Sequence, residues 1–133
     1  MIMRTFVGLI GALSLLCVTG VSAGQTKPAA GAKPAAHAAS PESIASGAAL
    51  YKRQCVMCHG ATGIGDGPAA KSMKGKLPSL MDKATMSKLT DAQIHEAITA
   101  GKKTTVGNMP ALGKRLKPEE ITDIVHYVRT LAK

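Results

Sequence analysis

Aromatic side chains are nearly absent from this chain. Among its 133 residues there is no Trp, one Phe and two Tyr, and the Phe, Phe6, falls in the opening stretch. The stacking platforms that proteins use to bind single-stranded nucleic acid are therefore missing, although the formal net charge is +9. Cysteine is scarce too: Cys17, Cys55 and Cys58 are the only three. With no second cysteine pair, a structural zinc site of four Cys or His ligands has little to draw on. Segments alternating with period two are also lacking, which argues against strands, and there is no internal repeat.

What stands at the beginning is a targeting pattern. Arg4 supplies a short positive region, Phe6 to Val18 carries no charge, and Val21-Ser22-Ala23 presents small residues where a signal peptidase reads. Residues 1–23 are read as a signal peptide and the mature chain as starting near Gly24. The alternative is a retained anchor, since no charge appears from Thr5 to Thr26. Gly20, Ser22, Gly24 and Gln25 dilute the roughly 20 apolar residues that a span needs, so no stable membrane insertion is expected after cleavage. Cys17 leaves with the signal, and the remaining two cysteines share one motif, so no structural disulfide is expected. Cleavage removes Arg4 and no acid, leaving 16 basic against 8 acidic side chains, a formal +8. That balance suits an acidic protein partner in an exported, periplasmic setting.

Residues 24–40, GQTKPAAGAKPAAHAAS, hold no large apolar side chain and read as a linker. His37 lies within it and is read as a solvated bystander, because a ligand on a tether loses entropy on binding. Residues 41–133 form the expected domain. At roughly 90 residues a single core is marginal without a staple.

Three helices are legible. The first has Ser40 as N-cap and Pro41 at its first position, and runs through Ile44, Ala48 and Tyr51 toward Cys55. A second begins where Thr90 and Gln93 have capping-box spacing, with Leu89 and Ile94 placed as a hydrophobic staple and Gly101 as a stop. In the third, Pro118 with Glu119 and Glu120 suits a helix start. Ile121, Ile124, Val125, Val128 and Leu131 then recur on one face, though Lys117 is a poor N-cap. The fold class is all-α.

Cys55-Val56-Met57-Cys58-His59 ends the first helix. Two cysteines three apart can each add to one vinyl group of a single haem, and the histidine that follows then lies under the iron. The pattern therefore points to one covalently attached haem c per chain. A redox dithiol normally opens a helix after a strand in a βαβ unit, whereas this pair closes a helix in an all-α chain. For the second iron ligand a thioether sulfur is a soft donor suited to iron. Once the signal is gone, and with Met57 confined inside the attachment loop, Met73, Met81, Met86 and Met109 remain. Met109 precedes Pro110, which holds it extended in the Gly107-Asn108-Met109-Pro110 loop between the second and third helices. His95 and His126 are the alternative, each beside the apolar stripe of its helix and more suited to solvent.

At this point the sequence resembles the class I, mitochondrial-type cytochrome c family, in particular its small bacterial members, over nearly all of residues 42–133. Gly47-x-x-x-Tyr51-x-x-x-Cys55 is similar to the family's first helix, where a glycine lets the last helix cross closely, and Tyr127 resembles the aromatic on that last helix. The resemblance implies a cytochrome c fold, with N- and C-terminal helices crossing near Gly47 around the haem. Gly65-Asp66-Gly67-Pro68-Ala69 is similar to the loop in which a proline carbonyl accepts a hydrogen bond from the proximal histidine, which implies that role for Pro68 toward His59. Met109-Pro110 matches the family's axial methionine motif. The tryptophan that some members place near a haem propionate has no counterpart here.

Iron held by His59 and Met109 leaves no open position for a substrate, so the expected function is one-electron transfer, not catalysis. The expected state is a monomer that meets acidic redox partners through Lys71, Lys74, Lys76, Lys102, Lys103, Lys114, Arg115 and Lys117. The alternatives are a dedicated electron-accepting subunit of an exported oxidoreductase and, more distantly, a five-coordinate haem.

Overall fold

The computed structural model describes residues 37–133. The signal peptide read over 1–23, and all but the last four residues of the linker read over 24–40, lie outside the described residues.

Helix α1 spans Pro41–Gln54. Its start follows the expected chemistry: the Ser43 amide donates to Ser40 Oγ at 3.2 Å, Pro41 opens the first turn, and Glu42 lies there against the helix dipole. Ser43, Gly47, Leu50 and Tyr51 recur at helical spacing and are the residues it buries. Helix α2, Val56–His59, follows after Cys55. A 3-10 turn at Pro68–Ser72 and helix α3, Lys83–Met86, then precede α4, Asp91–Ala100. The capping box expected at α4 is formed in both directions. The Thr90 amide donates to Gln93 Oε1 at 2.8 Å, and the Gln93 amide donates to Thr90 Oγ1 at 3.2 Å. Helix α5, Pro118–Leu131, buries Ile121, Thr122, Ile124, Val125 and Val128. Lysine offers no acceptor, and the Lys117 amide is instead satisfied by Glu120 Oε2 at 2.8 Å.

Among the described residues the fold is all-α apart from one addition: a two-residue antiparallel pair of β1, Lys102–Lys103, and β2, Asn108–Met109. A ladder this short has no period to display in a sequence.

The helices cross where Gly47 was expected to allow it. A Cβ on Gly47 would lie 2.0 Å from the Asp123 carbonyl oxygen and 2.9 Å from Tyr127 Cβ, so α1 and α5 meet backbone to backbone. Beside the crossing the rings of Tyr51 and Tyr127 pack with centroids 5.2 Å apart at 58°. Arg129, whose role the sequence does not signal, ties the rest to α5. Its guanidinium donates to the Met86 carbonyl at 2.7 Å and pairs with Asp91 at 2.7 Å, joining the end of α3 and the start of α4 to the last helix.

Gly47→Ala is expected to destabilise the protein by about 1–3 kcal/mol or more, because the backbone contact has no side chain that can turn aside. Thermal unfolding checks this; an unchanged Tm would mean that the helices can part at no cost.

Candidate haem site

The site grows out of the end of α1. Cys55 caps that helix, its amide donating to the Tyr51 carbonyl at 2.8 Å, and the chain turns at once into α2, where the His59 amide donates to the Cys55 carbonyl at 2.8 Å. One tight turn therefore carries Cys55, Cys58 and His59 together. Tyr51 Oη reaches past the motif and donates to the Gly60 carbonyl at 2.9 Å, which fastens the turn to the helix crossing. The following loop folds back over it: the Gly65 amide donates to the His59 carbonyl at 2.8 Å, and the Gly67 amide to the Cys58 carbonyl at 3.2 Å. Only glycine fits at 67, since a Cβ there would lie 2.4 Å from the Val56 carbonyl oxygen.

Cys55 and Cys58 are free thiols, not joined to each other. Burial pushes the Cys55 thiol up to about 11, with Cys58 beside it adding to the rise. His59 is held below the usual imidazole value by burial, so its ring is neutral at physiological pH and keeps a lone pair for a metal. The Nδ1 atom of His59 is buried without a hydrogen-bond partner. The bond from this atom to the Pro68 carbonyl, which the family resemblance implied, is therefore not formed in this structure. Pro68 instead opens the exposed 3-10 turn.

These residues face a cavity of about 710 Å³, inside the range of roughly 300–1,000 Å³ typical of cofactor pockets. Cys55, Cys58 and His59 line it. Ile94 and Ile98 of α4 and Ile124 and Val128 of α5 supply apolar wall. Leu89, expected to staple against Ile94, lines the same cavity and is 37% exposed.

Met109 and Pro110 also line the cavity. The β1–β2 pair holds Met109 there, with Lys102 opposite Met109 and Lys103 opposite Asn108. Beyond it the Leu112 amide donates to the Ile98 carbonyl at 2.9 Å, so the segment is tied to the end of α4 on both sides. Of the other methionines, Met73 and Met86 also line the cavity, Met86 almost fully buried at 2% exposure, so the wall itself does not single out Met109 as its loop context in the sequence does. Met81 is not on the wall, and neither His95 nor His126 is. Bis-histidine ligation therefore has no second histidine in position.

The donor set fits a covalently attached haem. Two thiols three apart, a neutral imidazole and a thioether share one apolar cavity, and the imidazole's inner nitrogen is the buried polar atom left without a partner among the described residues.

Comparison with known proteins agrees. Residues 42–128 match the family described as cytochrome C oxidase, cbb3-type, subunit III. The chain is 34% identical over 93 residues to the cbb3-type cytochrome c oxidase subunit CcoP of Rubrivivax gelatinosus, covering 69% of this chain and 27% of that one. It is 38% identical over 83 residues to cytochrome c6 of Aphanizomenon flos-aquae, covering 62% of this chain and 84% of that protein. Among solved structures, it superposes on a chain of the Kuenenia stuttgartiensis reducing HAO-like protein complex with a TM-score of 0.60 at 25% identity, covering 77% of this chain and 48% of that chain. The chain thus spans about a quarter of the oxidase subunit and half of the complex component, but most of cytochrome c6.

Without an occupant, the apolar side chains lining this open cavity would be left facing water, a cost set against a total stability of only about 5–15 kcal/mol for a small domain. The chain produced in a host that cannot attach haem is expected to lack a cooperative thermal transition and to be cut rapidly by protease. A sharp transition in that material would show that the cavity needs no occupant.

Proposed function

Because this chain belongs to the cytochrome c family and carries covalent haem c, we propose that it works as an exported, monomeric, diffusible one-electron carrier with no catalytic step of its own. Electron transfer is the activity of the family; the arrangement around it is the reading offered here. When bound, haem c supplies an iron that cycles between Fe(II) and Fe(III), taking one electron from a reduced partner and giving it to an oxidised one.

In this reading Cys55 and Cys58 would hold the porphyrin through two thioether bonds, and His59 and Met109 would be the two protein ligands to its iron. The observation that carries it is the single cavity wall shared by all four side chains. An iron held by both side chains would have no position left for a substrate. Pro68 is retained as the acceptor for His59 Nδ1 in the haem-bound protein, supported by that atom's lack of any other partner. For export, the support is the cleavable pattern at 1–23; among the described residues no helix is long and apolar enough to cross a membrane.

An acidic partner is the complement of the surface. Lys71, Lys74, Lys76, Lys102, Lys103, Lys114, Arg115 and Lys117 are all exposed. Lys102 lines the cavity itself, and the Lys74 amide donates to the Val106 carbonyl at the tip of the hairpin that carries Met109. Positive charge thus gathers beside the edge at which electrons would leave.

Two measurements test the proposal. The ferric protein should show the far-red charge-transfer band of methionine-ligated haem, lost in Met109→Ala and kept in Met73→Ala; the reverse pattern would move the ligand to Met73. With an acidic redox partner, association should slow by at least about tenfold as ionic strength rises from ~10 mM to ~0.5 M. A rate indifferent to salt would remove electrostatic steering.

A further inference from the structure

Apart from the haem cavity, one group of side chains has the composition of a metal site. His37 precedes α1, Ser43 lies on its first turn, and Asp123 and His126 share one face of α5, three residues apart. His37 Nε2 is 2.7 Å from Asp123 Oδ1. Ser43 Oγ donates to Asp123 Oδ1 at 2.6 Å and lies 2.6 Å from His126 Nδ1 and 3.3 Å from His37 Nε2. The two imidazoles meet edge to face, with ring centroids 5.3 Å apart at 84°. None of these four residues lines the haem cavity.

We propose that His37, Asp123 and His126 form a second metal site, which takes one divalent transition-metal ion of the zinc and copper class. The donor atoms of the three side chains lie within 4.8 Å of one another, and tetrahedral zinc at its usual bond lengths wants ligand atoms about 3.3 Å apart. Small rotations of the histidine side chains close that gap. The two imidazole nitrogens are borderline donors that suit zinc, copper and nickel, and zinc accepts a carboxylate oxygen beside them. Calcium and magnesium need more oxygen ligands than the cluster offers.

The Asp123 carboxylate is already drawn into the cluster by the Ser43 hydroxyl, which donates to Oδ1. Asp123 is also the residue whose carbonyl meets Gly47, so its backbone is fixed by the helix crossing. His37 is the distant partner in sequence, 86 positions away from Asp123. Three protein donors leave a tetrahedral ion one further position, for Ser43 Oγ, water or a donor from another molecule. The bound ion would clip the segment leading into α1 onto α5, beside the crossing on which the fold rests.

Calorimetric titration of the haem-loaded, chelator-washed, untagged protein with zinc alone tests the site. One ion per chain is expected. His37→Ala, Asp123→Asn and His126→Ala should each weaken binding by at least about tenfold, since even the loss of an outer partner to a metal ligand costs that much. His95→Ala should not change it. Zinc should raise the Tm of the wild type and not that of His37→Ala. The haem spectrum, unchanged in each variant, reports that the fold is intact, and His37 lies outside every helix, so its removal does not threaten it. No binding by the wild type, equal affinity in His37→Ala, or loss of binding in His95→Ala would overturn the proposal and leave the cluster as a hydrogen-bonded fastening only.

Discussion

The backbone contact between α1 and α5 at Gly47 is the constraint from which the rest of the structure follows. With hydrogen in place of a side chain, α1 comes close enough for the Asp123 carbonyl to occupy the space of a Cβ. That proximity sets where both helices point. Tyr51, one turn along α1, packs its ring on Tyr127 and sends its hydroxyl to the Gly60 carbonyl. Burial pushes that phenol well above its ordinary value, so the hydroxyl stays protonated and can serve only as donor to the carbonyl. Through this single side chain the crossing reaches the far end of the Cys55–His59 turn. Ile124 and Val128, on the same α5, become a wall of the cavity that the turn faces. The attachment motif is thus an extension of the crossing, not a graft onto it.

The scarcity of aromatics acquires a physical meaning in this light. A domain of this size without Trp or Phe would ordinarily struggle to bury enough surface. Here Leu89, Ile94, Ile98, Ile124 and Val128 are arranged around a common cavity, so a porphyrin does the work that large side chains do elsewhere. The wall must then be held from behind. Arg129 does this on one side by binding the ends of α3 and α4, and the bonds from Leu112 and Gly113 back to Ile98 and Thr99 do it on the other. Replacing direct core contacts with a shared cofactor ties the stability of the fold to the presence of that cofactor.

Legibility in the sequence followed the range of the interaction. Helices α1, α4 and α5 could be read because Ser40, Thr90 with Gln93, and Pro118 with its acids act over three or four residues, and apolar spacing repeats over several turns. Cys55, Cys58 and His59 were legible because their chemistry is adjacent in the chain. Helices α2 and α3 and the β1–β2 pair were not, being too short to show a period. Long-range partners were the blind spot. Composition marked His37 as a bystander and spacing marked His126 as a surface residue, yet the two stand edge to face across Asp123. Arg129 carries no local signal in the sequence, yet it clamps the end of α3 and the start of α4 to α5. Pro110 and the loop around it single out Met109 in the sequence, but that Met73 and Met86 reach the same cavity wall is a product of the fold and has no local signal.

The charge pattern follows from where the acids are spent. Only eight are present, and four serve local structure: Asp82 caps α3, Glu120 satisfies the Lys117 amide, Asp91 pairs with Arg129, and Asp123 joins the Ser43 cluster. Among the described residues, none of the lysines or arginines in the loops after the haem motif and around the hairpin makes an ion pair. Their charges are left to act together on whatever approaches. Exposed charges of this kind contribute little to stability, since water and salt screen them, but they sum into a field that extends about a Debye length from the surface. Using acids as caps and clamps therefore does two things at once: it fixes the helices that frame the cavity, and it leaves the basic side chains beside it uncompensated.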